Sequence, residues 1–357
     1  MPGLFKDILG SSETLFKNDV ALDYSFQPKL VPYREKEQKF IAGCIKPLFQ
    51  EKNGKNVLIF GQPGVGKTVA CSHILKELEE ETDEIIPIYI NCWQRNTTYK
   101  IILEICELMD FKFVQNKKTE ELFRWIKQNL NKKSVAFVFD EVDKLEDFDF
   151  LYMILEEIYR KTIILITNYK EWVTDLDERI KSRLMPEIIE FKPYNYDETK
   201  GILKQRLDYA FHANVWSDDA FEAIANKTFE MQDIRTGLYL MKEAGRIAED
   251  KSSRKIILEH AQQSISKINE FSIKNPNELA TDEQLILSLI KSNSGKKIGD
   301  FFRLYQESGG KLVYKSFQRK IDSLNKNKFI VIEKTAGGEE GNTTIIKSNS
   351  EKKLTEF

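Results

Sequence analysis

Cysteine is scarce in this 357-residue sequence. Cys44, Cys71, Cys92 and Cys106 are the only four, and no CxxC pair or Cys/His cluster joins them. That spacing argues against a zinc module and a disulfide framework, so the four are expected to be small buried hydrophobes in a reducing compartment. No apolar run approaches the roughly 18 residues of a membrane span. The opening MPGLFKDILGSSETLFKND lacks the basic patch and apolar stretch of a signal peptide. A cytoplasmic location with no membrane partner is expected. Internal repeats and low-complexity tracts are missing as well. So is an excess of one charge: 54 Lys and Arg stand against 56 Asp and Glu, net -2, and bulk electrostatics single out no partner.

What is present is a globular composition, 41% hydrophobic and 31% charged, with a mean hydropathy of -0.43. The length implies two or three domains. Charge is unevenly distributed. Thr281 to Phe357 holds 14 basic and 10 acidic residues, and between Lys291 and Lys328 the balance is 10 to 3. A locally basic C-terminal module is attached to an acidic body.

Five apolar runs, Asn56–Phe60, Ile85–Ile90, Val135–Asp140, Thr162–Thr167 and Glu187–Phe191, alternate with helical patterns such as Glu35–Phe49 and Val69–Leu78. Runs that are continuously apolar rather than alternating belong to strands buried on both faces, which predicts a parallel α/β sheet. After Phe191 only helical patterns continue, to Ile273, opened by Asn195 with Glu198 three residues later and again by Ser217. KNPNELA (Lys274–Ala280) reads as a linker. Beyond it, helices are expected from Thr281 to Lys291, Lys296 to Glu307 and Val313 to Asn327. A hairpin should follow, Phe329–Lys334 and Thr343–Lys347 flanking TAGGEEGN. Three helices and a hairpin make a winged helix. The expected domains are an α/β nucleotide-binding domain at 1–193, a helical lid at 194–275 and a winged helix at 276–357.

The first strand runs directly into GQPGVGKT, Gly61 to Thr68, a complete GxxxxGK[ST] before a helix that begins near Val69. Gly64 and Gly66 let backbone N–H groups turn inward around phosphates, the helix N-terminus adds positive potential, Lys67 reaches the terminal phosphates and Thr68 ligates magnesium. At the end of another strand, VAFVF delivers Asp140 and Glu141 to the same rim. Asp140 is the candidate to hold magnesium through water, and Glu141 to orient and activate the attacking water. Asn168, ending TIILITN, is a third rim residue that could position that water, although Asn is also an ordinary strand-end turn residue. Arg179 and Arg183 in LDERIKSRL are either surface arginines or the finger that reaches a neighbouring subunit's phosphate. Arg235, in the lid, could contact the terminal phosphate.

Together with LVPYREKE (Leu30–Glu37), YINCWQRNTTYKIILEI, FDEVDKL and FKPYNYDETKGILKQR, these pieces resemble the archaeal replication-initiator family of AAA+ ATPases, relatives of the eukaryotic origin recognition and cell-division-cycle initiators. The resemblance covers nearly the whole chain. It implies ATP-regulated binding of duplex origin DNA, slow hydrolysis, recruitment of the replicative helicase, initiator paralogues as possible partners and a place on the nucleoid. It further implies that Tyr194 and Arg206 line the ATP or ADP pocket with Gly61 and Val65–Val69, that Asn168 and Arg235 are the nucleotide sensors, and that Arg179 or Arg183 is the finger. The chain departs from the family where a Gly-Asp pair usually precedes the lid arginine: here stand Gln232 and Asp233, and Gly237 replaces a customary alanine.

In the last helix Phe317, Ile321 and Leu324 share one face, which turns Lys315, Gln318, Arg319 and Asp322 outward. Lys and Arg there suit phosphates and guanine edges, and Gln suits adenine. The candidate DNA contacts are Lys315, Ser316, Gln318 and Arg319, with Lys334 and Lys347 at the base of the hairpin. Glu339 and Glu340 at the tip are the wrong charge for a minor-groove wing. The resemblance implies a second DNA contact near Tyr99–Arg124, with Lys112, Lys117 and Lys118 as candidates. An alternative keeps the ATPase but gives the winged helix a protein partner, as in a regulatory or defence ATPase.

Overall fold

Strands that are apolar on both faces need cover on both sides, and the computed structural model supplies it. It describes residues 14–272 and 281–348, apart from positions 25, 113, 115–116, 294, 311, 327–329 and 336–342. The chain divides into two compact units, Met1–Ile265 and Ser266–Phe357.

The first unit begins with a 3-10 turn at Asp19–Leu22 and α1 (Glu35–Ile45), which tightens into a second 3-10 turn at Lys46–Gln50. The helix expected to run to Phe49 changes hydrogen-bond pattern there because Pro47 has no N–H to donate. Then follow β1 (Val57–Phe60), α2 (Lys67–Glu81), β2 (Ile85–Asn91), α3 (Thr98–Leu108), α4 (Thr119–Leu130), β3 (Ser134–Asp140), α5 (Asp149–Glu157), β4 (Lys161–Thr167), α6 (Glu178–Leu184) and β5 (Glu187–Glu190). The five strands form one sheet in the order β2-β3-β4-β1-β5, parallel throughout. All the strands therefore finish at one rim. One face packs Val57, Ile59, Val138, Ile164 and Ile166 against Ile41 of α1 and Ile74 of α2. The other packs Leu58, Phe137, Phe139 and Leu165 against Ile101, Ile126, Phe150 and Ile180 of α3 to α6. Burial of a side chain such as Phe137 contributes about 2–3 kcal/mol. All four cysteines are buried free thiols within these layers.

Four helices follow, α7 (Tyr196–Ala210), α8 (Asp218–Met231), α9 (Ile234–Asp250) and α10 (Leu258–Ser272), the last of them containing the division between the units at Ile265. Asn195 and Glu198 form the expected capping box, each side chain accepting the other's backbone N–H at 2.9 Å. The chain ahead of α1 is fastened to these helices. Lys17 N donates to Ala210 O at 2.8 Å, the Phe16 and Phe211 rings lie 4.7 Å apart, and Lys242 bridges Asp23 and Asp19 at 2.7 and 3.4 Å.

The second unit contains α11 (Thr281–Ser292), β6 (Lys296–Lys297), α12 (Ile298–Glu307), α13 (Tyr314–Lys326), β7 (Ile330–Thr335) and β8 (Thr343–Ser348). The strands pair antiparallel in the order β6-β8-β7. Lys296 and Lys297, expected to open a helix, are instead drawn into the sheet opposite Ile346 and Ile345. Ile286, Ile290, Phe301, Tyr305, Phe317, Ile321, Leu324 and Ile346 form its core. Gly309 takes a φ of 88° just after α12, the left-handed cap for which glycine is suited. The linker 274–280 and the hairpin tip lie outside the described residues.

Candidate nucleotide site and candidate nucleic-acid face

The loop between β1 and α2 is walled in by the helical segment. A Cβ on Gly64 would sit 2.0 Å from Asp233 Oδ1, and one on Gly66 would sit 2.5 Å from the Tyr194 hydroxyl. Both glycines have positive φ, 79° and 87°, so any side chain would be both strained and obstructed. Val65 is buried and Val69 half-buried beside them.

Lys67 is buried, and its Nζ donates to Gly61 O at 2.6 Å, Gln62 O at 2.9 Å and Asn168 Oδ1 at 3.0 Å. Burial lowers its pKa to about 8, the nearby Arg235 charge adding to the shift and Asp140 opposing it. Asp140, also buried, is held by three donors. Oδ2 accepts from the Thr68 hydroxyl at 2.5 Å and the Tyr89 hydroxyl at 2.9 Å, and Oδ1 accepts from Glu141 N at 2.8 Å. Glu141 has a φ of 57°, a left-handed backbone uncommon for a residue with a Cβ. Its Oε2 is buried and has no hydrogen-bond partner among the described residues. Burial, then the charges of Asp140 and Asp143, raise its carboxyl above the usual range, while Arg235 lowers it.

A hydroxyl and a carboxylate are hard oxygen donors, and the chemistry fits magnesium. Among the described residues no group of three His, Cys, Asp or Glu side chains could hold a metal ion. Phosphate and water oxygens would have to complete the shell, the usual arrangement for magnesium bound with a nucleotide.

Two further residues belong to this site and escape sequence reasoning. Arg34, 4% exposed, donates from Nε to Val65 O at 3.1 Å and from a terminal nitrogen to Lys192 O at 2.6 Å. It pairs with Glu37 at 3.2 Å, and its guanidinium lies 3.9 Å from the centre of the Tyr194 ring. Burial pushes the Tyr194 hydroxyl up to about 12. Asp233 caps α9 by accepting from Arg235 N at 2.9 Å and also abuts Gly64. The only signal for Arg34 was its place in LVPYREKE.

The structure does not join every candidate to the loop. Arg206 gives its guanidinium to Ala21 O at 3.1 Å and Phe26 O at 3.3 Å, over the Phe26 ring, and so ties α7 to the chain ahead of α1. Arg179, whose side chain is 73% exposed, pairs with Asp177. Arg183 pairs with Glu156 at 2.5 Å, and both guanidinium groups lie over the Tyr152 ring. The departures before the lid arginine also have physical consequences. Gln232 takes a φ of 52°, a conformation glycine adopts at lower cost. At Gly237 a Cβ would meet Thr228 Oγ1 at 2.5 Å and Leu203 Cδ2 at 2.8 Å, so Thr228 occupies the space an alanine would need.

In the second unit, Phe317, Ile321 and Leu324 are buried, Lys315, Arg319 and Asp322 are exposed, and Ser316 and Gln318 are half-buried. Lys320 is committed to Glu283 at 3.2 Å. Lys334 and Lys347 stand on β7 and β8, opposite Thr344 and Val331. Glu339 and Glu340 lie outside the described residues. In the first unit, Lys112 pairs with Asp110 at 3.8 Å, Lys117 lies over the Phe111 ring and Lys118 is exposed.

A parallel sheet with this loop, these rim carboxylates and a helical lid defines an AAA+ ATPase, for which ATP and Mg2+ are the nucleotide and the ion. Residues 50–170 match an AAA domain and residues 200–266 the Cdc6 AAA+ ATPase-type lid domain. ORC1-type DNA replication protein 1 of Sulfurisphaera tokodaii is 30% identical over 91% of this chain and 87% of its own. ORC1-type DNA replication protein 2 of Methanothermobacter thermautotrophicus is 27% identical over 96% and 94%. The chain belongs to the ORC1-type DNA replication protein family. Its fold is also that of the Aeropyrum pernix ORC1 protein, solved in complex with DNA (TM-score 0.71, 23% identity, 95% of this chain and 94% of that one). Pyrobaculum aerophilum Cdc6p is a second such structure (TM-score 0.65, 18% identity, 94% and 95%). Among the described residues no helix is long and apolar enough to cross a membrane.

Proposed function

We propose that this protein is an ATP-switched replication initiator that binds duplex origin DNA, acts beside initiator paralogues on the nucleoid and helps recruit the replicative helicase. The observation that carries the reading is the closed arrangement around Lys67. The loop, the rim carboxylate Asp140 and the lid residues Asp233 and Tyr194 all meet there, so a phosphate bound at the loop is sensed on both sides. In this reading Lys67 exchanges the carbonyls of Gly61 and Gln62 for phosphate oxygens, and Thr68 and Asp140 hold magnesium, which neutralises charge on the triphosphate. Glu141, with its raised carboxyl and unpartnered oxygen, takes the proton of the attacking water, which Asn168 helps to orient. Arg235 reports the terminal phosphate from the lid, and Arg179 or Arg183 leaves its own-chain carboxylate to complete a neighbour's site.

The domains in this reading are 1–193, 194–275 and a winged helix at 276–357. Support for duplex DNA comes from the exposed Lys315 and Arg319 on α13 and from a relative of the same fold solved with DNA. Magnesium with ATP or ADP fits the hard oxygen donors of the site. The test is a binding screen of duplex fragments from the host chromosome with ATP, with ADP and without nucleotide. Tight binding to a small set of fragments, altered by the nucleotide, is expected. Equal, weak binding of all fragments in all three states would overturn the proposal.

A further inference from the structure

The phosphate chemistry described so far leaves Tyr89 unused, although its hydroxyl touches Asp140. In the parallel register of β2 and β3, Asn91 lies opposite Asp140. Side chains two residues apart share a face of a strand, so Tyr89 and Asn91 point to the same face as Asp140, and the phenol is long enough to reach it diagonally. The hydroxyl donates to Asp140 Oδ2 at 2.9 Å, the same oxygen that accepts from Thr68 at 2.5 Å. On the same face, Asn91 Oδ1 accepts from Trp93 N at 2.9 Å and Gln94 N at 3.3 Å, which ties down the end of the strand that carries Tyr89.

With Glu141 N on Oδ1, the carboxylate has a donor at each oxygen and cannot rotate without losing one. We propose that Tyr89 is a positioning residue for magnesium, holding Asp140 in the one orientation that, with Thr68, serves the ion. This inference rests on the ATPase reading. A carboxylate that acts on a cation through water gains little from direct bonding, so its orientation must come from the protein. Groups that orient a metal ligand from behind typically influence affinity about 10–100-fold.

The test is Tyr89→Phe in the full chain, which keeps the ring and removes only the hydroxyl. Binding of a fluorescent ATP analogue is titrated with magnesium, and binding in EDTA is measured beside it. The magnesium concentration at half-effect should rise about tenfold, with nucleotide affinity in EDTA and thermal stability unchanged. Adding Tyr89→Phe to Asp140→Asn should then bring no further shift. An unchanged magnesium midpoint, or an equal loss of affinity in EDTA, would overturn the assignment, the latter because it marks general damage to the loop. Wild-type protein that binds ATP without regard to magnesium would overturn the magnesium site at Thr68 and Asp140 itself and this inference with it.

Discussion

The phosphate site and the outer face of α13 treat charge in opposite ways. Around the loop, Arg34, Lys67 and Asp140 are buried and each is bonded to protein atoms. On α13, Lys315 and Arg319 stand at the surface over a core of Phe317, Ile321 and Leu324. Buried polar groups must find partners or cost about 1–3 kcal/mol each, so the first region is specified by mutual contacts and tolerates little change. The second is specified by a stiff apolar face alone, and its exposed cations act through their field on whatever approaches. A substitution in the first region should alter chemistry or stability; one in the second should alter only a partner's affinity.

Four substitutions or conditions would break or sharpen that contrast. Glu141→Gln should slow ATP turnover by about 100-fold or more while leaving nucleotide binding intact, measured by phosphate release beside equilibrium binding; unchanged turnover would remove Glu141 from its role. Arg34→Ala should cost about 2 kcal/mol of stability, because Val65 O and Lys192 O lose their buried donors, and should weaken ATP binding as well. Its thermal midpoint compared with wild type decides the matter. Lys315→Ala with Arg319→Ala should weaken duplex binding about tenfold and make its dependence on log salt shallower by about 2, with melting unchanged. An unmoved salt slope would show that α13 does not meet DNA.

The smallest effect concerns pH. The Lys67 pKa of about 8 means that the loop loses its charge above that pH, while bound phosphate holds the proton. ATP should therefore bind about fourfold less tightly at pH 8.5 than at pH 7. Stability moves the other way. Between about 8 and the ordinary lysine value near 10.4, the unfolded chain binds more protons at this residue than the fold does. This group's contribution therefore makes the nucleotide-free protein more stable as pH rises through that window.

How much of this was legible in the sequence follows from how local each cause is. The five strands fall within one residue of the apolar runs, with β5 ending at Glu190, because two-faced burial leaves a local record. The Asn195 and Glu198 box is likewise a four-residue matter. The strand at Lys296 and Lys297 is not: its reason for being extended is β8, some fifty residues later. Arg34 and Asp233 were invisible as site residues because their partners, Val65 and Gly64, lie on distant stretches of chain. Arg206 is bonded to Ala21 O and Phe26 O for a similar reason, since the chain ahead of α1 offers it carbonyls that no local pattern announces. Tyr89 left one faint trace, a polar atom in the otherwise apolar IIPIYI.

The wall that Asp233 and Tyr194 build against Gly64 and Gly66 has a bearing on biosynthesis. The loop emerges early from the ribosome, but the side chains that close it come far behind. At about 5–20 residues per second, roughly ten to thirty seconds separate Lys67 from Asp233. Once Glu190 has been made the nascent chain can complete its sheet, yet it still has no Asp233 beside Gly64, so nucleotide at the loop is enclosed from that side only once translation has passed this residue.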